Sequence, residues 1–141
     1  MEKGRRIAFD YGDVRIGVAM CDVDAILATP LVTLKASDKK LDTQLSEIFA
    51  EYSPIRIYVG RPAHMDGRES ISSTKALAFA QYLEKLTKCP IELIDERLST
   101  VSAARNMRDS GVNAQNSRER IDQAAAVSIL DFALALERNR K

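Results

Sequence analysis

Asp10, Glu96 and Asp122 are the residues whose types and positions most demand a chemical explanation. Asp10 follows the apolar run Ile7-Ala8-Phe9, Glu96 comes just after the run Ile91 to Ile94, and Asp122 opens a long apolar stretch from Ile121 to Leu136. A carboxylate in or at the tip of a buried strand is destabilising unless its charge is offset. One divalent cation can offset several carboxylates at once. Three such acids drawn together would make a centre for hydrolysing phosphodiesters. Two divalent ions about 3.5–4 Å apart can clamp a scissile phosphate between attacking water and leaving oxygen. In that scheme Asp10 bridges the ions, Glu96 and Asp122 hold one each, and substrate oxygens complete the coordination of Mg2+ or Mn2+.

Each acid also has an ordinary explanation. Asp10 could accept hydrogen bonds from the amides of Gly12 and Asp13 in a tight turn. Glu96 could pair with Arg97 or Arg105, and Asp122 could be a favourable charge near a helix N-terminus. Asp95 competes with Glu96, because strand alternation lets only one of them face a given side. Asp13, Asp22 and Asp24 read as turn residues. His64, the chain's one histidine, reads as exposed polar surface in a loop.

The bases are distributed unevenly. Net charge is only +1, yet Arg97, Arg105, Arg108, Arg118 and Arg120 face only Asp109 and Glu119 between residues 97 and 120. Arginine suits phosphate because its planar fork donates two parallel hydrogen bonds. These five, with Arg61, are the candidate nucleic-acid contacts; the alternative is a solvated helix face.

The elements that must position these residues follow from periodicity. Arg5 to Tyr11, Arg15 to Cys21 and Ala25 to Leu34 read as three strands joined by short turns at Gly12-Asp13 and Asp22–Asp24, with Pro30 suited to an edge. A helix carrying Leu41, Leu45, Ile48 and Phe49 follows a cap at Ser37 or Asp38 and stops at Ser53-Pro54. Ile55 to Val59 is a strand, 61–73 a polar loop, Thr74 to Thr87 a helix and Ile91 to Ile94 a strand. Ser99 or Thr100 caps a short helix ending near Gly111, and Asn116 with Glu119 forms a capping box for the last helix. Strand–helix–strand units require parallel pairing with right-handed crossovers. The expected fold is therefore α/β: a five-stranded mixed sheet, an antiparallel three-strand meander plus two parallel strands, flanked by helices.

Bulk properties agree with one domain over residues 1–141. At this length folding removes roughly 68% of the unfolded surface from water, so a core needs no disulfide. Cys21 and Cys89 lack metal-type spacing and read as buried thiols of a reducing compartment. No signal pattern precedes the first strand, and no apolar run approaches the ~18 residues of a membrane span. A cytoplasmic protein is expected.

The segments FDYGDVRIGVAMCD, YVGRPAHMDGRES, LIDERLSTVSAARNMRDSGV and RERIDQAAAVSIL, in this order across almost the whole chain, resemble the YqgF family of Holliday-junction-resolvase-like proteins. The resemblance implies an RNase H-like fold and metal-dependent hydrolysis of a nucleic-acid backbone. The family's DYG, DER and late ID motifs put their acids on Asp10, Glu96 and Asp122. It further implies processing of the 5′ end of pre-16S ribosomal RNA, or resolution of four-way DNA junctions. The partner is then nucleic acid, pre-rRNA or branched DNA, with no membrane, and the protein a monomer or homodimer. Two positions depart from the family pattern. Residues 113–116 are neutral where lysines are usual, and the VGLP-type motif reads Val59-Gly60-Arg61-Pro62, which adds a cation.

Two other classes compete. Asp10-Tyr11-Gly12 and Gly17 also resemble the first phosphate loop of the actin, sugar-kinase and heat-shock ATPase group, but such proteins close two domains around ATP. A non-catalytic RNA-binding or transcription-associated module is the other. Magnesium-dependent cleavage that is lost in Asp10→Asn separates an enzyme from such a binder.

Overall fold

A computed structural model describes residues 1–62, 71–96 and 115–140. The elements are β1 (Arg6–Tyr11), β2 (Arg15–Cys21), β3 (Ala28–Lys35), α1 (Leu41–Tyr52), β4 (Arg56–Arg61), α2 (Ile71–Glu84), β5 (Ile91–Asp95) and α3 (Gln115–Asn139). The strands form one sheet in the order β3-β2-β1-β4-β5. β1–β2 and β2–β3 are antiparallel, whereas β1–β4 and β4–β5 are parallel. This is the mixed five-stranded sheet that the periodicity predicts.

β1 is the central strand, and Ile7, Ala8 and Phe9 are all fully buried because helices cover both faces. The two faces differ in side-chain size. One carries Ala8, Ala19, Cys21 and Tyr58, packed against Ala125, Ala126, Ile129, Leu130, Ala133 and Leu134 of α3. The other is bulky, with Ile7, Phe9, Ile16, Val18, Ile57 and Val59 against Leu45 of α1 and Phe79 and Leu83 of α2. Phe9 meets Phe79 edge-on at 5.5 Å between ring centroids, a favoured aromatic geometry. Small residues on the first face let α3 lie close to the sheet, and that closeness sets the position of Asp122.

Several boundaries move for local reasons. The third strand starts at Ala28 rather than Ala25, because the Asp22 side chain accepts the amides of Ile26 and Leu27, both at 2.8 Å, and Ala25 adopts φ 58°. Asp22 is thus a turn residue, and the amide of Leu27 foremost holds its carboxyl below the ordinary range. β3 is an edge strand, and the extra residue Leu31 interrupts its register beside Pro30, the irregularity expected where proline cannot donate to the ladder. α1 begins only at Leu41, its cap position is Lys40, and Asp38 accepts the Lys40 amide instead of capping. β4 runs on to Arg61, and α2 starts at Ile71 and stops at Glu84, three residues before Thr87. α3 includes Asn116, so that residue lies within the helix rather than at its cap. The helix predicted between Ser99 and Gly111 lies outside the described residues. Among the described residues no helix is long and apolar enough to cross a membrane.

Candidate active site

Parallel pairing puts the carboxyl ends of β1, β4 and β5 at one edge of the sheet, the edge where ligands gather in open α/β folds. Asp10, Glu96 and Asp122 all lie at this edge, 2%, 4% and 1% exposed. Alternation from Ala8 turns Asp10 toward the α3 face. Its register partner in β2 is Gly17. A methyl group on Gly17 would fall 2.0 Å from the Asp122 carbonyl oxygen and 3.2 Å from the Asp122 Cβ. The backbone of α3 at Asp122 therefore rests on Gly17, directly beside Asp10.

The other flank of Asp10 has the same device. One residue beyond the Phe9–Val59 pair, Gly60 lies next to Asp10 in β4. A methyl group there would meet Ile129 at 2.4 Å and the Glu96 carboxyl carbon at 3.3 Å. Two glycines thus bracket Asp10, and over each of them a second acid comes in. The same geometry separates Glu96 from Asp95. Ile94 belongs to the α3-facing core and Glu96 follows it in phase, while Asp95 is paired in register with Arg61 on the opposite face.

The convergence is one of backbone positions more than of carboxylate oxygens. Among the described residues no three His, Cys, Asp or Glu side chains stand close enough, as they are, to hold a metal ion. Gathered like charges repel in a buried setting, and Arg15 Nε donates to Asp122 Oδ2 at 2.8 Å. Polar ties fix this end of α3 on the sheet: Thr33 Oγ1 donates to the Glu119 carbonyl at 3.1 Å, and Gln123 Nε2 donates to Thr33 Oγ1 at 3.0 Å.

The arginines chosen from sequence fare differently. Arg97, Arg105 and Arg108 lie outside the described residues, as do the side chain of Arg118 and the whole of His64. Arg120 is exposed, but it precedes Asp122 by two helical positions, about 200° around the axis, and so leaves from the side away from the acids. Arg61 alternates with Gly60 onto the opposite face, where its Nε donates to Ser73 Oγ of α2 at 2.6 Å. It ties strand to helix there instead of adding charge beside the acids. Asp13 pairs with Lys75 at 2.9 Å and Asp24 with Lys3 at 3.5 Å, both at the surface.

Sequence reasoning missed Arg15 and the structural part of Gly17 and Gly60. The signal was present: in the Asp10-to-Gly17 hairpin, Gly17 falls opposite Asp10, and Arg15 precedes it by two on the same face.

Comparison with known proteins agrees with this architecture. A family model described as "RuvX: Holliday junction resolvase" matches residues 4–136. A Streptomyces coelicolor protein named "Putative pre-16S rRNA nuclease" is 46% identical over 98% of this chain and 84% of its own. A Nocardia farcinica protein of the same name is 46% identical over 91% and 76%. Among solved structures, T. thermophilus RuvC in complex with a Holliday junction substrate aligns over 96% of each chain with TM-score 0.54 at 12% identity, a likeness of fold.

Proposed function

Because this chain belongs to the RuvX Holliday junction resolvase family, we propose that it is a divalent-cation-dependent endonuclease that processes the 5′ end of pre-16S rRNA in the cytoplasm. The observation that carries this reading is the pair of glycines flanking Asp10, which bring Glu96 and Asp122 to the same buried edge. Relatives named for pre-16S rRNA cleavage, over nearly the full chain, supply the substrate.

The donor set fits the cation. Three carboxylates, each more than nine-tenths buried, offer hard oxygen ligands of the kind Mg2+ and Mn2+ prefer. Asp10, Glu96 and Asp122 would hold the ions, with modest side-chain rotation. When bound, the ions polarise the phosphate and make water a nucleophile at neutral pH. The reaction is hydrolysis: a water oxygen bonds to phosphorus, the P–O bond to the leaving sugar breaks, the water gives up a proton and the leaving oxygen gains one. The chain's own contribution is positional. The sheet fixes Asp10, contact with Gly17 fixes Asp122, and Arg15 offsets part of the charge of Asp122.

A second reading, resolution of four-way DNA junctions, is favoured by the printed description of the family. That substrate has two equivalent cuts and suits a two-fold dimer, whereas trimming one RNA end needs only a monomer. A cleavage panel with Mg2+ or Mn2+ tests both, comparing a pre-16S leader RNA, a plain single-stranded RNA and a four-way DNA junction, with Asp10→Asn as control. Cleavage of the leader in preference to the junction supports rRNA processing. Preference for the junction supports the second reading, and cleavage of nothing contradicts both.

A further inference from the structure

Arg15 opens β2 and shares a face with Gly17 and Ala19, toward α3. Its side chain is 21% exposed while that of Asp122 is 1% exposed, so the guanidinium straddles the border between the buried acids and solvent. Nε is turned inward onto Asp122 Oδ2. Among the described residues the terminal nitrogens Nη1 and Nη2 have no hydrogen-bond partner, and they are not buried. An arginine held by Nε still presents its Nη pair as donors to phosphate oxygens. Lys35 is its cross-strand register partner on β3, leaves from the same face and is exposed.

We infer that Arg15 and Lys35 form a backbone-phosphate subsite on the β2–β3 flank of the acids. Arg15 positions Asp122 through Nε and grips a phosphate of the bound strand through its Nη pair, and Lys35 meets the next phosphate outward. This rests on the nuclease reading and deepens it by naming the side on which the strand leaves the acids. Carboxylates alone repel a polyanion, so a strand passing this edge needs cations beside them. Of the candidate arginines whose side chains are among the described residues, Arg120 is turned away from Asp122 and Arg61 lies on the opposite face.

The test is binding of a fluorescent pre-16S leader RNA by anisotropy across a salt series, in an Asp10→Asn background so that the RNA stays intact. Arg15→Gln is expected to weaken binding about tenfold, as for loss of one charge-assisted contact, and to lower the salt slope by about one unit. Arg15→Lys keeps the charge without the fork, so the slope returns while part of the affinity stays lost. Lys35→Gln touches no partner in the core and is expected to lower the slope by a similar step. If Arg15→Gln fails to fold, the slopes of Lys35→Gln and Arg15→Lys decide. Unchanged slopes in Arg15→Gln and Lys35→Gln, with the Asp10→Asn parent still binding RNA, overturn the subsite and leave the nuclease reading standing. A parent that binds no RNA overturns both.

Discussion

The two ends of α3 place the same chemistry in opposite settings. At the end near Gln115, Asp122 is a buried acid gathered with two other buried acids, Asp10 and Glu96, and touched by Arg15. Fifteen residues later, about 22 Å along the helix, Glu137 is an acid gathered with bases. Arg6 is fully buried and donates to it through Nε at 3.2 Å and Nη2 at 2.9 Å, Tyr58 donates its hydroxyl at 2.5 Å, and Arg56 lies at 3.7 Å. Burial alone would push the Glu137 carboxyl up, but the bonds from Arg6 and Tyr58 and the nearby positive charges outweigh it and hold the pKa below its ordinary 4.5. One end is a balanced clamp that fastens the helix across the amino ends of the strands. The other brings three buried acids to one edge of the sheet, where Arg15 pairs with Asp122. The contrast shows that burial of an acid alone says little; the groups buried with it set what it can do.

Substitutions at the two ends should therefore separate activity from stability. The largest expected effect is Asp10→Asn, which conserves shape and removes charge. Loss of several kcal/mol of transition-state stabilisation corresponds to a drop of about 10³-fold or more in cleavage rate, with thermal unfolding near that of the parent, checked by single-turnover cleavage and calorimetry. Next comes Glu137→Ala, which strands Arg6 as an uncompensated buried charge. It should lower stability by about 3–5 kcal/mol in denaturant unfolding, while the molecules that stay folded keep their cleavage rate. Gly17→Ala should have a mixed effect. A methyl group 2.0 Å from the Asp122 carbonyl oxygen must push α3 off the sheet, costing about 1–3 kcal/mol and lowering cleavage together with stability.

The smallest effect is that of pH on the clamp. Since folding depresses the Glu137 pKa, the stability it contributes is complete above its unfolded value of about 4.5 and fades as pH falls through the lower folded value. Denaturant midpoints measured from pH 6 down to pH 3 should fall in the parent with a step that Glu137→Gln lacks. An equal step in both would place the acid sensitivity elsewhere.

Much of this contrast was legible in the sequence, and the gaps have physical causes. Asp10 stood out because a charge ends an apolar run, and the strand order followed from turn residues and period. Glu96 and Asp95 could not be separated without the β4–β5 register, which fixes which side each faces. The start of β3 was misplaced because the Asp22 side chain supplies a turn that no hydrophobic pattern announces. The face that Arg61 takes could not be read without the continuation of β4 two residues past Val59, which turns it toward Ser73 of α2. The Arg6–Glu137 clamp went unseen because its partners are far apart in the chain, and nothing local links a residue before the first strand's apolar run to the last turns of the last helix.

The most direct test of the convergence of Asp10, Glu96 and Asp122 is titration of Mn2+ into the protein followed by the loss of the free-ion paramagnetic resonance signal. Saturable binding in the parent that is weakened at least about tenfold in Asp10→Asn, Glu96→Gln and Asp122→Asn alike is the predicted result. Binding that is absent in the parent, or indifferent to all three substitutions, would contradict it.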